Sequence, residues 1–223
     1  MSAAGASLIP ILATPFGSAQ LPVPESLNAQ LARLFEARAV ATHRDPRTLP
    51  NPLYFRGRDD LLDWPDDPVQ RLKAELLAAV AAIVQGANVY TEPQFDDLRL
   101  QARGWFSLVR KDGGIPASSY AQTSWCAIYC VAAPEPSATR SDSGVLRLYE
   151  TRLGSAFLDA SNWRLRQPFG FGHHTWRPVA GAMAVFPATI PHEIAPLRSD
   201  GVLTLVTLRV RFATSGQESM PPW

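Results

Sequence analysis

"GWFSLVRKDGGIPASSYAQTSWCAIYCV", residues 104–131, sets the pattern for the second half of the chain. "GWFSLVR" and "SWCAIYCV" are apolar runs of strand length, and "KDGG" between them is a tight turn. A phosphate-binding loop would need a helix straight after the glycines, and none follows, so "RKDGG" is read as a hairpin turn. The segment "ASSY" then reads as a loop at the place where a β-barrel enzyme presents polar groups to a pocket. It offers the hydroxyls of Ser118 and Ser119 and the phenol of Tyr120. Cys126 and Cys130 are four apart on one strand and share a face, with Cα atoms roughly 13 Å apart, too far for a disulfide. They are expected to be reduced core thiols, in keeping with a cytoplasmic protein.

Downstream, "GVLRLYET", "AGAMAVFP" and "GVLTLVTLRVRF" continue the period-two pattern. In the last, Val202, Thr204, Val206, Leu208, Val210 and Phe212 share a face, and Arg209 and Arg211 emerge on the other. With the apolar row turned inward, those arginines are expected to point outward. Upstream the pattern is helical. Residues 25–38 place Leu27, Leu31, Leu34 and Phe35 on one stripe. "DDPVQRLKAELLAAVAAIV" has Asp67 as N-cap, Pro68 at the first helical position and Leu72, Leu76, Val80 and Ile83 on one face. The polar, proline-rich loop between the helices is long enough that it must be tied down or serve a purpose. Helices followed by strands predict an α+β fold in one domain over residues 1–223. The helical part covers about 1–99, a β core about 100–213 and a tail 214–223.

Composition excludes several functions. The chain has 223 residues, 46% of them hydrophobic and 18% charged, enough to bury a sizeable core. Lys plus Arg is 21 against 20 for Asp plus Glu, so charge makes no case for nucleic acid or an anionic membrane. No apolar run approaches the roughly 20 residues that span a bilayer. The N-terminus lacks a basic start and is broken by Pro10 and Pro15, so it does not read as a signal peptide.

Of the four histidines, His192 lies between Pro191 and Pro196, just past a strand end. It is open to two readings, a packed or surface residue, or a metal ligand or acid–base group at a barrel mouth. His173 and His174 are adjacent, so on a strand one points in and the other out. No His-x-His, His-x-Asp or His-Glu-x-x-His run is present. Glu150 and Arg152 in "YETR" are either a pocket pair or a solvated ion pair.

The ordered set of segments resembles the 2OG-Fe(II) oxygenase family, small bacterial members of the iron and 2-oxoglutarate dioxygenase superfamily. "YFRGRDDLLDWPDDPVQRLKAEL" is similar to its Trp-His-Ser stretch and second helix. "GWFSLVRKDGG" and "SWCAIYCVAAP" are similar to its opening and Trp-Ser-Gly-Val-Tyr-Tyr-Val strands, "LRLYETR" to its Asp-Pro-Arg segment and "VAGAMAVFPATIPHEIAP" to its Pro-x-x-Gly…Phe-Pro-Ser…His segment. The resemblance implies a double-stranded β-helix, a jelly-roll or cupin-like barrel, with the N-terminal helices buttressing one sheet. It puts the family's His-x-His pair on Ser118 and Tyr120, its distal iron ligand on His192 and a family His on Arg56. The family's 2-oxoglutarate-clamping Arg is missing from "SDGVLTLV".

Since Ser is a poor Fe(II) ligand and Tyr favours ferric iron, the expectation is that no cofactor binds at the matched positions. On that expectation the chain is an enzyme modifying a small molecule by acid–base chemistry (isomerisation, cyclisation or dehydration). His192, Tyr120 and Ser118 would be catalytic, and Glu150, Arg152, Trp125, Tyr129 and Arg56 would bind substrate. One alternative is an Fe(II)- and 2-oxoglutarate-dependent oxygenase with a rebuilt site using His192, His173 or His174 and a carboxylate such as Glu150. The other is a catalytically dead binding module. A small-molecule substrate is the expected partner, and an exposed sheet edge leaves room for a homodimer.

Overall fold

A computed structural model describes residues 13–151 and 172–214, with Leu165 and Phe169. Arg152, most of the tail and the first 12 positions lie outside the described residues. Two antiparallel sheets carry the architecture. The larger has six strands, β1 (Gly17–Gln20), β2 (Tyr54–Arg56), β3 (Arg99–Arg110), β5 (Trp125–Ala132), β8 (Ala182–Pro187) and β10 (Val202–Ala213). Their spatial order is β1-β8-β5-β10-β3-β2. The smaller holds β4 (Ile115–Ser118), β6 (Leu146–Tyr149), β7 (His173–Trp176) and β9 (His192–Ile194), in the order β4-β9-β6-β7. The mixed α/β, sheet-rich chain is consistent with the double-stranded β-helix of the oxygenases.

The apolar runs of β5, β8, β10 and the second half of β3 become strands buried on both faces, because helices cover one side of the larger sheet and the smaller sheet covers the other. Helices α1 (Glu25–Ala37) and α2 (Asp67–Gly86) present Leu27, Leu31 and Phe35, and Leu72, Leu76 and Val80, to one core. The even-numbered residues Val206, Leu208 and Val210 of β10 meet them there. The odd-numbered Leu203 and Leu205 face the smaller sheet, beside Cys126, Ile128 and Cys130. Both thiols are free and buried, as the four-residue spacing requires.

Several expectations change. The apolar row of β10 faces the helices, so Arg209 points toward the space between the sheets and not outward. Its side chain is 12% exposed, and it pairs in register with Cys126. The N-cap of α2 is Asp66, and its side chain binds Arg38 at the end of α1 through two hydrogen bonds of 2.9 Å, joining the helices. Val84 takes the buried place expected of Ile83. Ile83 instead packs over Gly17, where an added Cβ would lie 2.3 Å from its Cγ2. Five short strands (β1, β2, β4, β7 and β9) join those read from the sequence. No helix among the described residues is long and apolar enough to cross a membrane.

Candidate active site

A cavity of about 290 Å³ opens between the sheets, near the lower end of ligand-site volumes. Two strands and the segment after the first bring their polar groups to it for a topological reason. β4 pairs with β9, which sets Ser118 directly across from His192. Tyr120 follows β4, held where its backbone N–H donates to Ala188 O at 2.8 Å. The trio of Ser118, Tyr120 and His192, distant in sequence, therefore lines one cavity. "ASSY" is part strand, since Ser118 closes β4.

His192 is 4% exposed. Its Nδ1 lies 2.9 Å from Ile190 O, an atom that only accepts, so Nδ1 carries the proton. Burial outweighs that hydrogen bond and pushes the imidazole pKa down from its ordinary 6.5, which keeps the ring neutral. Nε2 is then the acceptor of the pair and faces the Cys126 thiol at 3.9 Å. The Tyr120 and Phe186 rings stand edge-on at centroid distances of 5.4 and 4.9 Å. Burial, with Cys126 nearby, pushes the Tyr120 phenol well above its ordinary range against the opposing hydrogen bond with Ser118. It is a proton donor, not a phenolate. Burial likewise pushes the Cys126 thiol up, so it stays protonated.

Charge enters from β2 and the loop before it. Arg56 is 14% exposed, lies over the Trp105 ring at 4.1 Å and binds Asp59 at 2.8 Å. Its other terminal nitrogen meets Asp45, which is also buried. Asp59 receives Arg47 at 3.0 Å and Arg209 at 2.7 Å as well. Burial opposes its ionisation. The hydrogen bond from Arg47 and the charges of Arg56, Arg209 and Arg47 outweigh that and hold the carboxyl below its ordinary pKa. The long polar loop is tied down by this network. Sequence reading missed Asp45 and Asp59, whose signal was the alternation of charges in "HRDPR" and "RGRDD".

Other expected site residues lie elsewhere. Trp125 and Tyr129 occupy odd positions of β5, whose odd face packs on the helices. The Tyr129 hydroxyl donates to Asn28 Oδ1 on α1 at 2.8 Å, so neither residue binds substrate in this cavity. Glu150 is outside the cavity lining, and its backbone N–H donates to Gly172 O at 2.9 Å. Arg152 lies outside the described residues. His174 shares a row with His192, but Leu148 of β6 stands between them, and the His174 ring packs on Phe16 at 4.7 Å. His173 lies beside Tyr149 on the opposite face.

Tested as an iron site, the matched positions fit in one place of three. His192 offers a fixed, neutral ring with Nε2 unprotonated, the usual state of a metal-binding histidine. Ser118 and Tyr120 offer a hydroxyl and a protonated phenol. Among the described residues no group of three or more His, Cys, Asp or Glu is placed to hold a metal ion. The start of β10 carries Val202 and Leu203, and Leu203 is packed into the inner core.

No protein-family model matches the sequence, and no curated relative matches it. Solved structures do resemble the chain. A Pseudomonas putida prolyl-4-hydroxylase is 18% identical with TM-score 0.57, over 88% of this chain and 91% of that one. EvdO2 from Micromonospora carbonacea var. aurantiaca, complexed with 2-oxoglutarate, is 14% identical with TM-score 0.54, over 94% and 91%. HygX from Streptomyces hygroscopicus, with nickel and 2-oxoglutarate bound, is 12% identical with TM-score 0.52, over 92% and 84%. The shared feature is the fold. These neighbours overturn the expectation of no cofactor, because structures built on this fold hold 2-oxoglutarate, in HygX together with nickel. They lend nothing to metal-independent chemistry.

Proposed function

We propose that the chain is an Fe(II)- and 2-oxoglutarate-dependent oxygenase with a rebuilt metal centre, acting on a small organic molecule in the cavity between the sheets. The observation that carries this reading is His192. It stands across from the end of β4 on a fold shared with 2-oxoglutarate-bound structures, its Nδ1 anchored on Ile190 and its Nε2 unprotonated. The rebuilding is required because Ser118 and Tyr120 do not fit as the other ligands. Around that centre the Ile190 carbonyl fixes the His192 tautomer, Tyr120 and Ser118 offer hydroxyl groups, and Trp105, Ile115 and Ile128 wall the cavity with apolar surface.

The test is anaerobic Fe(II) titration of the purified chain, with calorimetric binding of 2-oxoglutarate in the presence and absence of Fe(II). Near-stoichiometric Fe(II), a 2-oxoglutarate isotherm that depends on it, and loss of both in His192→Ala are expected. A chain that takes up no Fe(II), or takes it up equally well in His192→Ala, would overturn the proposal.

A further inference from the structure

We propose that Arg56 forms a carboxylate-binding subsite in this cavity, so that a ligand bound there is a small organic acid with an apolar body. The inference rests on the oxygenase reading for its setting and adds the chemical class of the ligand. Three observations carry it. Arg56 lines the cavity from β2, and its ion-pair partners among the described residues, Asp45 and Asp59, take two of the five N–H groups a guanidinium offers. The guanidinium lies over Trp105 at 4.1 Å and is tied to Asp45 and Asp59, so it is set in place before a ligand arrives. Its neighbours favour an anion over a cation. Tyr54, Ser118 and Thr207 also line the cavity and present neutral hydroxyl groups. The carboxylates at the lining, Asp45 and Glu193, are already engaged, Asp45 by Arg47 and Arg56 and Glu193 by Arg147 at 3.0 Å.

Ile115, Ile128 and Ile194 also line the cavity. A molecule that fills it and reaches Arg56 therefore has a charged end and an apolar body. Fixed donors favour a carboxylate, which accepts two parallel hydrogen bonds from one guanidinium. The acid has two sources, the 2-oxoglutarate co-substrate and the primary substrate, and the experiment separates them.

Calorimetry on the full chain would use 3-phenylpropanoate, its uncharged amide and 2-oxoglutarate as probes. The proteins are wild type, Arg56→Met and Arg56→Lys. Wild type is expected to bind at least one acid, with 3-phenylpropanoate tighter than its amide where that acid binds. Arg56→Met should weaken acid binding roughly tenfold to a hundredfold, the range of a charge-assisted hydrogen bond, and leave the amide unchanged. Loss confined to 2-oxoglutarate assigns the subsite to the co-substrate, and loss confined to 3-phenylpropanoate assigns it to the primary substrate. Arg56→Lys keeps a charge against Asp45 and Asp59, so it folds where Arg56→Met fails, and it should lose several-fold because the planar fork is gone. Binding of neither acid by wild type overturns the inference. So does equal binding of 3-phenylpropanoate and its amide, or unchanged acid affinity in the Arg56 variants. Fe(II) uptake is measured separately, so Arg56-dependent acid binding without Fe(II) would sink the oxygenase reading and leave this one standing.

Discussion

The neutrality of His192 has a measurable consequence for stability. In the unfolded chain the imidazole titrates near its ordinary pKa of 6.5, whereas burial holds the folded-state value lower. As pH falls through 6.5 the unfolded state therefore binds a proton that the native state refuses, and stability drops. The drop is absent well above pH 6.5, grows as pH falls below it, and levels off once the folded-state ring also protonates. At pH 7.5 the effect is below about 0.1 kcal/mol, and its ceiling at pH 5.5 is about 1.4 kcal/mol, reached when the native ring stays neutral throughout. With a urea m-value near 3 kcal/mol/M, that ceiling moves the unfolding midpoint by roughly 0.5 M.

The assay compares wild type with His192→Gln by urea unfolding at half-unit steps from pH 7.5 to 5.5. Differencing the two curves cancels every other titrating group. Wild type should lose stability relative to the variant as pH falls, by up to that amount. Parallel curves, or a wild type that gains on the variant in acid, would show that His192 protonates freely when folded. That would refute the argument that its Nε2 is a lone pair at neutral pH.

Three further outcomes follow from the same packing. Asp59→Asn leaves Arg56 and Arg209 without their shared carboxylate and should cost roughly 3–5 kcal/mol by chemical unfolding. The Asp59 contribution, present above its ordinary pKa of 3.8, should be lost in wild type as pH falls through the lower folded-state value. Burial raises both thiols, Cys130 to about 12, so stability should hold below pH 9 and fall above it, by up to about 1.4 kcal/mol per pH unit for each cysteine. Cys130→Ala should remove its share of that slope. Tyr129→Phe strips the hydroxyl that Asn28 accepts and should cost roughly 1–3 kcal/mol, lowering Tm by several degrees while leaving ligand binding in the cavity unchanged.

The long central strands and both helices were legible because their apolar residues repeat at the strand and helix periods. β7 and β9 were not. "HHTW" and "HEI" are three or four residues long, carry polar groups, and owe their strand state to neighbours in the smaller sheet. Nothing within them repeats for long enough to show a period. The convergence of Ser118, Tyr120 and His192 came instead from the ordered resemblance of whole segments. The charge network was illegible because its partners come from the loops on either side of β2 and from two strands, β2 and β10. Only pairing β2 and β10 to β3 carries Arg209 to Asp59, 150 residues away.

The reversed assignments of Arg209, Trp125 and Tyr129 share one cause. A period of two fixes which residues share a face and is silent on which face meets which layer. In a strand with solvent on one side, polarity breaks that tie. β5 and β10 are covered on both faces, by helices and by a second sheet, so both of their rows read as interior. What settles the matter is the partner each polar group finds. The Tyr129 hydroxyl is satisfied by a helix residue, Asn28, and the Arg209 guanidinium by Asp59 from the loop that follows β2. A tyrosine or arginine in a doubly covered strand is thus assigned by the position of its counter-group. Here that rule takes Tyr129, with Trp125 on the same face of β5, out of the cavity, whose lining keeps the guanidinium groups of Arg47 and Arg56.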